Sequence, residues 1–99
     1  MKEIQLSTGA LEDLNEGCWF YEIQEAGLGD YFASCLRADI DGLQFFAGIH
    51  PVLYLDFHRL LIRVFPYAIY YTFAGKSVTV WAVVDCRRDP AWIRNHLVR

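Results

Sequence analysis

"RVFPYAIYYTFAGKSVTVWAVVDCRRDP", residues 63–90, decides the fold. Pro66 fixes its own φ and restricts Phe65 to extended geometry, so "FPY" reads as a turn. Ala68 to Phe73 is rich in aromatic and apolar residues and reads as a strand. "AGKS" follows as a hairpin turn, with Gly75 supplying a φ that side chains resist. Val78 to Cys86 then alternates. Val78, Val80, Ala82 and Val84 face one way, and Thr79, Trp81, Val83 and Asp85 face the other. On that pattern Cys86 belongs with Val80 and Val84 and is expected to be buried. The stretch closes on two cations, Arg87 and Arg88, held between Asp85 and Asp89.

Working backwards, Arg59 to Phe65 reads as another strand. Arg59, Leu61, Arg63 and Phe65 share one face, and Leu60, Ile62 and Val64 the other. Val52 to Asp56 is a possible short strand before it. Upstream the period becomes helical. In "LGDYFASCLRADIDGLQFFAG", residues 28–48, Phe32, Leu36, Ile40, Leu43 and Ala47 form one stripe, and Gly48 ends it. From Ala10 to Ala26, Leu11, Leu14, Cys18 and Tyr21 recur at helical spacing. Ser7 or Thr8 caps this helix, and Glu12 and Asp13 put negative charge near its positive end. The "GLG" turn joins the two helices into a hairpin. Lys2 to Leu6 is a weak strand expected at or near a sheet edge. Working forwards, "DPAWIRNHL" reads as a short helix, with Asp89 as cap and Pro90 in its first turn. The expected order is β-α-α-β-β-β-α: an α+β domain, its antiparallel sheet backed by a helical hairpin.

At 99 residues the chain is expected to form one domain, residues 1–99. A chain of this size buries roughly two-thirds of its unfolded surface, enough to fold without disulfides or metal. Cys18, Cys35 and Cys86 are an odd number with no CxxC pair, which suits buried thiols in a reducing cytosol. The N-terminal segment has no continuous apolar run, so neither a signal peptide nor a membrane association is expected, and the expected location is the cytoplasm. The net charge of −3 conceals an asymmetry. Residues 1–50 carry Lys2 and Arg37 against nine carboxylates; residues 51–99 carry seven Lys and Arg against Asp56, Asp85 and Asp89. That balance discourages non-specific nucleic-acid binding but leaves room for a local cationic patch in the second half.

"GLGDYF", "RLLIRVFPYAIYY" and "VWAVVDCRRDP", in this order and spacing, resemble the RelE/ParE toxin superfamily of bacterial type II toxin–antitoxin systems, over about Ala10 to Leu97. The resemblance implies a twisted antiparallel sheet with a helical hairpin packed on it. It also implies a toxin neutralised by a cognate antitoxin, as in plasmid-stabilisation or addiction modules. Some members of the superfamily cut messenger RNA on the ribosome; others bind DNA gyrase. The endonuclease branch uses several Lys and Arg on the sheet, with a C-terminal Tyr or His. Arg59 and Arg87 match its basic positions. Ala68 stands where it typically has Arg, Leu61 where it often has Lys, and Ile93 near the place of its catalytic aromatic. Cleavage by a 2′-hydroxyl needs a proton acceptor, a proton donor and cationic stabilisation. The resemblance therefore favours the ParE-like, non-catalytic branch; the alternatives are a RelE-like mRNA endonuclease and a degenerate member that only binds antitoxin.

The candidate target- or antitoxin-binding residues are Arg59, Arg63, Tyr70, Trp81, Arg87, Arg88 and Trp92. Arg59 and Arg63 share a strand face and are expected to form a cationic stripe with Arg87. The weak catalytic candidates are Arg59, Arg63, Arg87, His58 and His96, the histidines because imidazole titrates near neutrality. Tyr71 is expected in the core and Tyr70 on the surface. Of Trp19 and Phe20, one is expected in the core and the other under a partner. No cofactor or metal is implied, since His50, His58 and Cys86 have no metal-ligand spacing. The expected partners are an antitoxin and either DNA gyrase or the ribosome with its message, in a homodimer or a hetero-oligomer with antitoxin.

Overall fold

A computed structural model describes residues 1–97; Val98 and Arg99 lie outside the described residues. Two helices precede most of the sheet, and their joint explains why they lie antiparallel. α1 (Thr8–Gln24) is capped by Ser7, whose side chain accepts from the Ala10 N–H at 3.0 Å. α2 (Leu28–Phe46) starts immediately after Gly27, at φ +90°, where a side chain would be strained. The Glu22 carboxylate reaches across this turn and accepts from the N–H groups of Gly27 and Gly29, meeting donors at the start of α2. Close approach of the two helices depends on Gly17: a Cβ there would lie 2.6 Å from the ring of Phe32.

The sheet holds β1 (Glu3–Leu6), β2 (Val52–Tyr54), β3 (Phe57–Leu61), β4 (Tyr67–Ala74) and β5 (Ser77–Asp85), in the order β1-β5-β4-β3-β2. β1 is an edge strand, as its weak alternation suggests. It runs parallel to β5, which makes the sheet mixed; the other pairs are antiparallel. The short strand at Val52 is real, so the order reads β-α-α-β-β-β-β-α. α3 (Pro90–His96) closes the described chain. The α+β class and the hairpin on the sheet are as expected.

Two local expectations fail. β3 stops at Leu61 instead of running to Phe65. Its pairing with β4 ends at Leu61 and Ala68, and the Ile62 N–H donates to the Tyr67 carbonyl to close a loop around Pro66. Arg63 and Phe65 therefore leave the strand, and Phe65 turns into the core. In β5 the alternation breaks at Trp81. Tyr70 pairs with Ala82 but Tyr71 with Val80, so Trp81 is an additional residue, a β-bulge. Val78 and Val80 face the helical hairpin together with Val83, whereas Ala82 and Val84 face the other side.

The sheet consequently has two apolar faces. Against the hairpin pack Phe32, Leu36, Ile40, Leu43, Ile69, Tyr71, Val78 and Val80, with an aromatic group of Tyr21, Phe32, Phe65 and Tyr67 at one end. On α1 the buried positions are Ala10, Asp13, Gly17 and Tyr21; Leu11, expected inside, is half exposed. The second face is smaller: Phe57, Ala68, Tyr70, Ala82, Val84 and Leu97, with Ile93 of α3 packed against it. No helix is long and apolar enough to cross a membrane among the described residues.

Candidate partner-binding face

α3 has seven residues, too few for helicity of its own, so tertiary contacts hold it. Asp89 caps it, accepting from the Ala91 N–H at 3.0 Å, and Pro90 presets its first turn. Ile93 and Leu97 pin it to the smaller sheet face. The last tie comes from α1. β1 covers β5 only from Ser77 to Val80, which leaves the margin of β5 beyond Val80 without a strand beside it. Ser7 donates its hydroxyl to the Trp81 carbonyl there, and one oxygen of Asp13 accepts from the Val83 N–H at 2.9 Å. The other oxygen accepts from Nε2 of His96 at 2.7 Å. Burial pushes the Asp13 carboxyl above its ordinary value, against the Val83 and His96 hydrogen bonds, which pull it down. Asp13, expected to serve the helix end electrostatically, instead bridges sheet and α3.

Between α3 and the smaller sheet face lies a pocket of about 220 Å³. Arg59 reaches it from β3, Arg88 from the turn after β5, and Arg94 from α3, with Tyr70 and Cys86 between them. Among the described residues no carboxylate lines it. Nε of Arg59 is buried and has no hydrogen-bond partner among the described residues, a costly arrangement for a charged group. Desolvation raises the Tyr70 phenol and the Cys86 thiol above their usual values, and the neighbouring Arg59 only partly counters it. Cys86 is therefore poorly disposed to form a thiolate. A second cavity of about 200 Å³, lined by Asp13, Glu16, Phe20, Asp85, Arg88 and Trp92, opens between α1 and α3. Arg88 lines both, and its guanidinium stacks over the Trp92 ring at 4.1 Å.

The structure gathers some of the expected site residues and disperses others. Arg59, Tyr70 and Arg88 meet in the arginine pocket, and Trp92 stands beside them on α3. Tyr70 is buried there, not on the surface as expected. Arg87 diverges: its Nε and Nη2 bind the two carboxylate oxygens of Asp85 at 3.0 and 2.7 Å, which holds that carboxyl below its ordinary value. Arg63 sits in the loop after β3, beside Cys35 and Asp39 of α2. The expected stripe of Arg59, Arg63 and Arg87 does not exist, because β3 ends at Leu61 and Asp85 draws Arg87 aside. His58 lies on the opposite side of the sheet from Arg59, stacked on Tyr71, and its Nδ1 donates to the His50 carbonyl. His96 is tied to Asp13 and stacked on Trp92. Trp81, at the bulge, donates Nε1–H to the Thr72 hydroxyl.

Other expectations about burial also change. Trp19 and Phe20 are both exposed, since the buried stripe of α1 runs through Gly17 and Tyr21. Cys86 is exposed and Cys18 and Cys35 are half-buried, because the bulge and the end of β5 carry Cys86 out of the core. Arg94 and Asp13 were missed as site residues. The spacing of Pro90, Ile93, Arg94 and Leu97 on one helical face would have pointed to Arg94. Among the described residues no group of three His, Cys, Asp or Glu is placed to hold a metal.

No protein-family model and no curated protein matches the sequence. Among solved structures, a chain of the "Chromosomal ParDE TA system from P. aeruginosa" superposes with a TM-score of 0.78 at 15% identity. The match spans 86% of this chain and 96% of that one. At that identity the likeness concerns the fold alone, which is ParE-like.

Proposed function

We propose, from the ParE-like fold as premise, that the chain is the toxin of a type II toxin–antitoxin module. In this reading it arrests growth by binding an essential target such as DNA gyrase and is neutralised by a cognate antitoxin. The observation that carries the reading is the arginine pocket. Among the described residues it gathers three guanidiniums and no carboxylate or imidazole. Guanidiniums stabilise a phosphate or carboxylate but do not titrate near neutrality. Tyr70 and Cys86, which line the pocket together with Tyr54, have their acidities weakened by desolvation. Such a surface is suited to binding an anion.

One observation favours the messenger-RNA endonuclease instead. His96 is held by the Asp13 carboxylate beside Trp92 and Arg88, an arrangement that orients an imidazole. Inducing the chain alone in bacteria separates the readings. Growth arrest with the SOS response and intact messages is the expected result. Rapid cleavage of translated messages, abolished by His96→Ala, would transfer the assignment to the nuclease. Unimpaired growth would leave a degenerate member that retains only antitoxin binding. Arg88→Ala is expected to weaken arrest more than Arg87→Ala, since Asp85 already occupies the Arg87 guanidinium.

A further inference from the structure

The connection from α2 to β2 is tied to the sheet by hydrogen bonds that converge on two side chains, Tyr71 and His58. Gly48 sits at φ +99°, and a Cβ there would lie 2.8 Å from the Phe73 ring, so the chain passes close over β4. Its N–H donates to the Tyr71 hydroxyl at 2.9 Å. Nδ1 of His50 meets the same hydroxyl, and the His50 carbonyl accepts from Nδ1 of His58 at 2.7 Å. We infer that these groups form a proton-sensitive latch, closed over residues 47–51 while the His50 ring is neutral and opened when that ring takes up a proton. Such a latch operates whether or not the chain is a toxin.

The direction of each hydrogen bond sets this behaviour. Tyr71 is wholly removed from water, so its hydroxyl proton needs an acceptor inside the fold. Desolvation raises the Tyr71 phenol above its ordinary value, while the N–H groups of Gly48 and His50 pull it down from the oxygen side. The oxygen therefore accepts from the backbone, and its proton points at Nδ1 of His50, which carries the lone pair. A proton added to Nδ1 turns that acceptor into another donor, and the Tyr71 O–H is orphaned. The His58 tie behaves differently, because its Nδ1–H donates in either protonation state. The titratable groups around His50 are His58 from β3, Tyr71 from β4 and Asp39 from α2. Desolvation, then the neighbouring His58, lowers the His50 ring below its ordinary 6.5, and Asp39 pulls the other way. Lys2, just ahead of β1, rests over the Phe73 ring, 5.8 Å from its centroid. The latch is thus whole above the ordinary 6.5 and weakens as pH falls from there through the lowered folded value.

The test titrates the full chain, labelled with nitrogen-15 and carbon-13, from pH 8 to pH 4 by NMR. The Cε1–H signal of His50 should titrate below 6.5, and the Gly48 amide signal should move with the same midpoint. Across it the exchange rate of that amide, corrected for the intrinsic effect of pH, should rise about tenfold, as for a lost hydrogen bond. The core signals of Val78 and Val80 should stay in place. His50→Asn sets a carboxamide oxygen, which does not titrate, near the position of Nδ1, and should keep Gly48 protected throughout. Tyr71→Phe should leave Gly48 unprotected at every pH. His58→Asn retains a donor for the His50 carbonyl and removes the neighbouring charge, so the transition should persist with a higher midpoint. A Gly48 amide indifferent to the His50 titration, a midpoint at or above the ordinary value, a transition that vanishes in His58→Asn, or loss of the core signals at the same pH would each overturn the latch. The wild-type titration decides the matter alone if a variant fails to fold.

Discussion

The two faces of the sheet have opposite characters. The hairpin face is filled: Phe32, Leu36, Leu43, Ile69, Tyr71, Val78 and Val80 are almost wholly removed from water, and the rings of Tyr21, Phe32 and Phe65 lie about 5 Å apart. The α3 face is built around Ala68 and Ala82, small residues paired with Val84 and Tyr70. Its covering helix buries none of its residues fully. What remains there is a cavity with three guanidiniums. Folding free energy comes mainly from apolar area removed from water, so the hairpin face holds the molecule together. The α3 face keeps unfilled volume and guanidiniums that form no ion pair among the described residues.

The largest expected effect tests that division directly. Phe32→Ala should cost about 3–5 kcal/mol in urea unfolding, because it empties the centre of the aromatic group. Ile93→Ala, on a half-buried residue of α3, should cost roughly 1–2 kcal/mol. If the two midpoints fall equally, the faces share the load and the contrast is wrong. Gly17→Ala comes next. Alanine normally favours a helix over glycine by ~1 kcal/mol, yet its Cβ would meet Phe32 at 2.6 Å. Overpacking of this kind costs about 1–3 kcal/mol, so thermal unfolding should show net destabilisation. A stabilised variant would mean that the hairpin has slack.

Tyr71→Phe and Tyr70→Phe carry the contrast to adjacent residues of one strand. The Tyr71 hydroxyl accepts from the Gly48 N–H at 2.9 Å and bonds Nδ1 of His50, tying the end of α2 to β4. Its loss should cost about 1–2 kcal/mol. Tyr70 faces the arginine pocket, where burial already weakens its acidity. Its conversion should lower stability less and alter anion binding more. Comparing urea midpoints with anion affinity for the pair checks both halves of the statement.

The filled face was readable in the sequence, and most of the open face was not. Phe32, Leu36, Ile40 and Leu43 recur at a period that only a helix satisfies, and β4 and β5 alternate around a glycine turn. Those signals are local. The bulge at Trp81 is not, since one additional residue in β5 has meaning only against its register with β4. Neither does the sequence reveal that Asp13 accepts a hydrogen bond from the Val83 N–H, 70 positions away. Arg63 departs from its expected face because apolar alternation continues in the sequence through a loop that is not strand. Arg94 drew no notice because a lone helical arginine acquires its role only when Arg59 and Arg88 arrive beside it. The periodic layer that supports the site can be read locally; the site itself depends on convergence.

The smallest effect concerns the two aspartates flanking the open margin of β5, and it separates them by sign. Asp85 has its carboxyl lowered below the ordinary 3.8, first by the Arg87 hydrogen bond. Its contribution is present above that unfolded value and is lost as pH falls through the lowered folded one. Asp13 is raised above 3.8, burial being the largest cause. The folded chain then holds a proton that the unfolded chain would release, so Asp13 opposes folding at neutral pH. That cost shrinks as pH falls through its raised value, and it is gone below 3.8. Asp85→Asn should therefore lower stability at pH 7 and flatten the acid side of the profile. Asp13→Asn should be tolerated at pH 7, since the amide oxygen still accepts from Val83, while Asp13→Ala leaves that N–H unpaired at a cost of about 1–3 kcal/mol. Unfolding midpoints from pH 3 to pH 7 distinguish the cases. If Asp13→Asn were as damaging as Asp13→Ala, the carboxylate charge toward His96, and not the hydrogen bond to the sheet, would be what holds α3 over the arginine pocket.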